Sequence, residues 1–173
     1  IQLLLINLAM DTLAAIAFGS EPALQEYMQE KPIPRSASII SKEMLVEIII
    51  SALYVTFICL AILFLPPVRG LFGDVDLTYL KSAVFATFMM AITFNGFNAR
   101  TGHVNVLEGL GRNKNFLLVM GAIFILQFVF VTFGGDVLSV EALSPSGWLI
   151  CVGLAFLVIP IDMVRKVVMG TSK

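Results

Sequence analysis

Charged residues are scarce in this sequence. Only 13% of its 173 residues are charged and 58% belong to the hydrophobic set, and the mean hydropathy is correspondingly high, at +0.95. A water-soluble domain carries about 25% charged residues, which it needs to cover its surface. The composition therefore excludes a soluble enzyme and indicates a protein whose solvent is a lipid bilayer.

Histidine and cysteine are equally rare. His103 is the only histidine, and Cys59 and Cys151 are the only cysteines. An intramembrane enzyme of lipid metabolism would display several catalytic acids or histidines at one interface, so this class is disfavoured. The sequence has no glycine-rich phosphate loop, and we expect the chain alone not to hydrolyse ATP. A net charge of −1 also argues against nucleic acid as a partner.

Five stretches with almost no charge divide the chain. Each approaches the ~20 residues that an α-helix needs to cross about 30 Å of hydrocarbon. Helices satisfy their backbone hydrogen bonds internally, and the stretches lack the alternation typical of a membrane β-barrel. The sequence therefore predicts an all-α integral membrane bundle of five transmembrane helices. The predicted helices cover residues 1–18, 44–65, 79–99, 115–133 and 146–165.

The loop charges predict an orientation. Of the 11 lysines and arginines, only Arg69 and Lys81 fall on one side of the five crossings. The other nine fall on the opposite side, which the positive-inside rule makes cytoplasmic. We therefore expect a multi-pass membrane protein, surrounded by lipid, with its C-terminus in the cytoplasm.

The ends of the predicted helices carry local signals. Ser144, followed by Pro145, predicts the N-cap of the last helix, and Pro160 predicts a kink within it. The chain begins at Ile1 without an initiator methionine, a basic flank or a signal-peptide pattern. We therefore expect a C-terminal fragment of a longer membrane protein.

Asp11 is the most informative single residue. A carboxylate near the middle of a crossing helix costs about 2.5–3.5 kcal/mol on insertion scales, and such residues are functional by default. Asn7 lies four residues earlier, on the same helical face. Carboxylate and amide oxygens suit a hard cation such as Ca²⁺ or Mg²⁺. The pair predicts a cation site at membrane depth; the alternative is a polar pair that hydrogen-bonds a neighbouring helix.

The other polar residues have structural interpretations. Glu47 is expected to reach the cytoplasmic interface or Lys42, and Asp162 to pair with basic residues at its helix end. Gln127 lies in the middle of a span and is expected to hydrogen-bond across helices. His103 is expected to be solvated, without an acidic partner.

The first helix and its surroundings resemble one known family. The string from Asn7 to Thr12 (NLAMDT) is very similar to the sixth transmembrane helix of P-type calcium pumps of the plasma-membrane branch. A second specific block is Phe94–Arg100 (FNGFNAR). Weaker similarities continue at Glu21-Pro22, Lys31–Arg35 (KPIPR), Asn105–Gly109 (NVLEG), Phe133–Gly135 and Leu143–Trp148.

The resemblance implies that residues 1–173 are the C-terminal membrane domain of a cation-transporting ATPase, its helices six to ten. Asn7 and Asp11 match the residues that ligate the transported Ca²⁺ in the family, where the helix is partly unwound between them. Met10 and Ile92 stand where two-ion pumps have further oxygen ligands, which implies one transported ion. In a fragment, Asn7 and Asp11 are expected to face outward without their partners.

The resemblance also implies what lies outside this chain. Calcium takes about 6–8 oxygens, so most of its shell would come from the family's fourth and fifth helices. Mg²⁺ and ATP would bind only in the missing cytoplasmic domains, which with the N-terminal helices are the expected partners. Two alternatives stay open: a self-contained small channel or secondary transporter, and a P-type pump for another cation.

Overall fold

The computed structural model describes residues 2–5, 8, 10–20, 34–35 and 38–169, and the regular secondary structure of these residues is entirely helical. The prediction of an all-α fold is confirmed for this part of the chain. In order, the α-helices are α1 (Gln2–Leu5), α2 (Asp11–Gly19), α3 (Lys42–Phe64), α4 (Pro66–Arg69), α5 (Leu77–Arg100), α6 (Lys114–Phe133), α7 (Gly135–Leu138), α8 (Pro145–Phe156) and α9 (Val158–Val168). Short 3₁₀ turns follow α4 and precede α6.

In the described part of the chain, four helical segments are long and apolar enough to cross a membrane, and one of them consists of two consecutive helices. They are α3, α5, α6 and the consecutive pair α8–α9, which together run from Pro145 to Val168. The mean hydropathy of their most apolar windows ranges from 1.4 for α5 to 2.6 for α6. α5 is the least apolar and also the most enclosed, with 61% of its window buried against 28–33% for the others. The chain is therefore a multi-pass membrane protein with α5 at its centre.

The first predicted crossing is described in two pieces. α1 and α2 are regular α-helix, while Leu8 and Met10 between them adopt the wider π-helical form. Gln2 and Gly19 would be about 26 Å apart along one straight helix at ~1.5 Å per residue, which is close to the thickness of the hydrocarbon core. Because no single long helix is described here, the count of five crossings stays a prediction.

Each of four helices begins with a side-chain cap. Ser41, Asp76, Asn113 and Ser144 accept hydrogen bonds from backbone amides three residues later, at 2.8–3.1 Å. These acceptors satisfy amide groups that a helix start would otherwise leave unpaired. The N-cap predicted at Ser144 is confirmed.

Small residues bring α5 and α8 close together. Ala83 and Ala91 of α5 and Cys151 and Ala155 of α8 are fully buried, and the Cys151 thiol lies 3.5 Å from the Ala83 carbonyl oxygen. Lipid tails are as apolar as these side chains, so helices in a bilayer associate through close packing and hydrogen bonds. Small side chains permit that packing because the two backbones can approach each other.

Pro160 interrupts the last crossing, as predicted. α8 ends at Phe156 and α9 begins at Val158, one turn before the proline that cannot donate a backbone hydrogen bond. Side chains from two neighbouring helices bond to carbonyl oxygens around this break. The Tyr54 hydroxyl donates to Leu154 at 2.5 Å, and the Asn98 amide donates to Val158 at 3.1 Å. The break is thereby fixed to both α3 and α5.

A buried network of ion pairs joins α9 to α3 and α5. Asp162 accepts from Arg165 Nε at 2.5 Å and lies 3.0 Å from Lys166 Nζ. Arg165 also contacts Glu47 at 3.2 Å, so the predicted pairing of Asp162 is confirmed, whereas Glu47 pairs across helices with Arg165 instead of Lys42. Lys166 donates to the Asn98 and Thr101 carbonyl oxygens at 2.9 and 2.8 Å, at the C-terminal end of α5.

The loop after α5 gives a correction. His103 Nδ1 lies 2.8 Å from a carboxylate oxygen of Glu108, so the prediction that His103 lacks an acidic partner is wrong. The two residues meet because Arg100 folds the loop back by donating to the carbonyl oxygens of Val106 and Glu108. This contact depends on the loop conformation, which the sequence pattern does not encode.

Replacing Asp162 with asparagine should destabilise the bundle. Asp162→Asn keeps the side-chain shape but leaves Arg165 with the partly exposed Glu47 as its acidic partner, and Lys166 with the carbonyl oxygens of Asn98 and Thr101. Breaking a buried ion pair in this way costs about 3–5 kcal/mol. The measurement is the temperature at which half of the detergent-solubilised protein aggregates. The matched control is Glu43→Gln, an exposed acid in the first turn of α3. Equal temperatures for the two variants would contradict a stabilising role for the network.

Candidate cation site on the first helix

The inner face of α2 follows a helical stripe. Met10 and Ala17 are buried, and Leu13 and Ala14 between them are partly buried, which is the i, i+3, i+4, i+7 spacing of one helical face. This stripe packs mainly on α6. At the C-terminal end of α2, Phe18 makes an edge-on contact with Phe116 of α6, with ring centroids 6.0 Å apart.

Asp11 lies on the opposite face of α2. Its side chain is exposed, as are those of Thr12, Ala15 and Ile16, and within the described part of the chain no hydrogen bond or ion pair involves its carboxylate. The described bundle therefore presents an unpaired carboxylate on its surface, directly after a π-helical residue. Asn7, the second predicted ligand, lies outside the described residues.

The backbone next to Asp11 departs from regular α-helix. Of the residues between Asn7 and Asp11, Leu8 and Met10 are described, and both are π-helical. The Thr12 hydroxyl donates to the Leu8 carbonyl oxygen at 2.7 Å, which supplies a partner to an oxygen whose helical bonding is altered by the wider turn. π-helical turns within α-helices are frequent at functional sites.

Met10 and Ile92 were expected to contribute no oxygen to an ion. Met10 is 6% exposed and points into the bundle, away from the face that carries Asp11. Ile92 is a partly exposed residue of α5 with an apolar side chain. Neither residue has an oxygen in its side chain that could bind an ion. Asp11 is the acidic residue of α2.

Asp11 alone cannot enclose a cation. It supplies one or two oxygens, whereas Ca²⁺ takes about 6–8. In the described portion of the chain, no three histidine, cysteine, aspartate or glutamate side chains lie together in a way that could hold a metal ion. Any complete ion site on this face therefore requires ligands from outside the described residues.

A buried polar contact lies behind Met10, and the sequence predicts only one of its members, Gln127. Gln127 of α6 donates to Thr93 of α5 at 2.5 Å, which confirms that Gln127 bonds across helices. Its amide nitrogen also lies 3.6 Å from the Met10 sulfur. The mid-span position of Gln127 was a signal for a partner, but the sequence has no pattern that specifies Met10 or Thr93.

The chain is similar to a known family and to several known proteins. A family described as the C-terminus of cation transporting ATPases matches residues 1–168. A plasma membrane calcium-transporting ATPase of Caenorhabditis elegans is 35% identical over 165 residues, covering 90% of this chain and 13% of that protein. Calcium-transporting ATPase 5, plasma membrane-type, of rice is 33% identical over 181 residues, covering 97% of this chain and 16% of that protein.

A human protein is similar to this chain to about the same degree. Plasma membrane calcium-transporting ATPase 3 is 35% identical over 163 residues, covering 87% of this chain and 13% of the human protein. The chain thus spans less than a fifth of the length of these relatives, at 13–16%.

Proposed function

This chain belongs to the family formed by the C-terminal regions of cation-transporting ATPases, and on that premise we propose that it is the C-terminal membrane domain of an ATP-driven calcium pump. Identity of 33–35% to plasma membrane calcium-transporting ATPases across most of the chain supports calcium as the transported ion. The observation that carries the proposal is the unpaired Asp11 carboxylate beside a π-helical turn, on the face of α2 that is not packed against the bundle.

Asp11 and Asn7 are the ligands that this chain gives to the ion. A carboxylate at membrane depth is costly unless a cation or a polar partner compensates for its charge. Asp11 has no such partner in the described bundle, so we infer that its partner is the transported Ca²⁺. We infer one ion per cycle because Met10 and Ile92 stand where the resemblance places further oxygen ligands in two-ion pumps.

The remaining ligands come from helices that precede this chain. Asp11 and Asn7 supply at most three of the six to eight oxygens that Ca²⁺ takes. The exposed face of α2 is the surface on which those upstream helices pack. The other helices act as a scaffold that holds α2. The first predicted helix, residues 1–18, also crosses the membrane, which brings the number of crossings in this domain to five.

ATP hydrolysis belongs to cytoplasmic domains outside this chain. Mg²⁺ and ATP act there, and phosphorylation shifts the pump between inward-facing and outward-facing states. This chain alone therefore does not hydrolyse ATP; it contributes ion ligands and responds to the change of state. Its location is the plasma (inner) membrane.

The ligand assignment is tested by calcium uptake into vesicles that contain the full-length protein. Asp11→Asn keeps the shape of the side chain but removes the charge that balances Ca²⁺. We expect ATP-dependent ⁴⁵Ca²⁺ uptake to fall at least about tenfold, which corresponds to about 1.4 kcal/mol. Asp74→Asn, an exposed acid in the turn before α5, is the matched control and should transport normally.

Two outcomes of this experiment would contradict the proposal. Undiminished uptake by Asp11→Asn would refute Asp11 as a ligand. ATP-dependent uptake of a different cation by the unsubstituted protein, with none of calcium, would replace calcium as the substrate and leave the family assignment intact.

The orientation is tested by chemical labelling of introduced cysteines. In intact cells, a membrane-impermeant maleimide should label Asp74→Cys, and it should label Arg112→Cys only after permeabilisation, because the positively charged loops face the cytoplasm. Both positions are exposed, and the protein without an introduced cysteine gives the background from Cys59 and Cys151. The reverse labelling pattern would overturn the orientation.

A further inference from the structure

Gln127 is a buried amide in the middle of a membrane-spanning helix. It lies in the second half of α6, is 1% exposed, and has apolar neighbours on the same helix, including Ile123 and Val131. A polar side chain at this depth is unfavourable unless it makes hydrogen bonds, because an apolar residue of similar size would fill the same space without polar atoms to satisfy.

The amide nitrogen of Gln127 faces three acceptors on two other helices. Nε2 lies 2.5 Å from Thr93 Oγ1 and 3.3 Å from the Met89 carbonyl oxygen, both on α5. It also lies 3.6 Å from Met10 Sδ, at the start of α2. Gln127 therefore joins the central helix of the bundle to the residue that directly precedes Asp11.

Thr93 fixes the orientation of this amide. Its hydroxyl donates to the Met89 carbonyl oxygen at 2.9 Å, so its remaining lone pairs are directed at a donor. The nitrogen of Gln127 must then face Thr93, since the opposite orientation would place Oε1 beside the Met89 carbonyl oxygen, two acceptors together. In the same orientation, the second N–H lies within reach of the Met89 carbonyl oxygen and the Met10 sulfur.

Met10 and Phe18 attach α2 to α6 at two points. Met10 lies beside Gln127, and Phe18 lies beside Phe116, so the two helices run antiparallel. Two contacts separated by more than two helical turns determine both the rotation and the axial position of α2. Because Asp11 follows Met10 directly, the rotation that buries the Met10 side chain also turns the Asp11 carboxylate outward.

We propose that Gln127 is a positioning residue for the ion site: with Thr93, it holds Met10 and thereby sets the direction of the Asp11 carboxylate. This inference rests on the function proposed above, and it assigns to α6 a specific part in ion binding in addition to scaffolding. The thioether is a weak acceptor on a flexible side chain, so the contact orients α2 without fixing it rigidly.

A packing role alone does not account for this amide. Among the described residues, Gln127 Oε1 has no hydrogen-bond partner although it is buried. Leaving a buried acceptor unpaired is unfavourable, and a methionine or leucine at this position would avoid that penalty. The donors of Gln127, directed at Met10 and Thr93, are what an apolar residue would not supply.

The test uses the full-length protein in membrane vesicles and measures ⁴⁵Ca²⁺ uptake over a range of calcium concentrations. Gln127→Met keeps the side-chain volume and removes both donors. We expect the calcium concentration for half-maximal uptake to rise about three- to tenfold, the effect of one or two net hydrogen bonds, with the maximal rate changed less than about twofold. Ile123→Val, a buried residue one turn earlier on α6, is the packing control and should leave the half-maximal concentration unchanged.

A double-mutant cycle with Met10→Leu separates positioning from general packing. Met10→Leu removes the sulfur acceptor and keeps an apolar side chain of similar volume. If Gln127 acts through Met10, the two substitutions share one effect, and Gln127→Met should shift the half-maximal concentration by less than about twofold in the Met10→Leu background. Independent, multiplicative effects of the two substitutions would overturn the inference.

The outcomes distinguish this inference from the function on which it rests. Loss of uptake in Asp11→Asn together with an unchanged half-maximal concentration in Gln127→Met refutes the positioning role alone. A lower maximal rate in Gln127→Met at an unchanged half-maximal concentration also refutes it. If Gln127→Met does not reach the membrane, Thr93→Val, which removes the principal acceptor of Gln127, provides the same measurement with the same expected shift.

Discussion

The described bundle depends on polar contacts made by its central helix. Inside a bilayer, apolar side chains gain little by exchanging lipid for each other, so hydrogen bonds and close packing determine which helices are neighbours. α5 has such a contact with each of the other long helices: Asn95 with Ser51 of α3, Thr93 with Gln127 of α6, Ala83 with Cys151 of α8, and Asn98 with Val158 of α9. The polar residues that make these contacts give α5 a lower mean hydropathy than the other long helices.

Asp11 and Asp162, near the start and the end of the sequence, have opposite environments. Asp162 is buried, and both of its cationic partners come from its own helix, while Arg165 and Lys166 connect it to α3 and α5. Asp11 is exposed and has no partner among the described residues. A carboxylate in buried ion pairs serves stability, whereas an unpaired one remains available for a ligand. This difference between two aspartates is what separates the scaffold from the candidate site.

Much of the fold could be predicted because the membrane simplifies the pattern. Hydropathy and length indicated α3, α5, α6 and α8–α9, and local chemistry indicated the cap at Ser144 and the break before Pro160. The partners of Glu47, His103 and Gln127 were not predictable in the same way. They depend on the rotation of each helix and on the course of a loop, which a one-dimensional pattern of apolar residues leaves undetermined when the helices are apolar on all sides.

The candidate site was predictable in part for a different reason. A carboxylate in an apolar helix stands out against its surroundings, so Asp11 could be identified from the sequence alone, but its direction could not. On the proposal above, that direction depends on Met10, which the sequence pattern does not distinguish from the other apolar residues of the helix. Since neighbouring side chains on a helix leave its axis in different directions, a contact that holds Met10 also limits where Asp11 points. On that proposal, the geometry of the ligand is therefore set by a residue that has no oxygen to offer the ion.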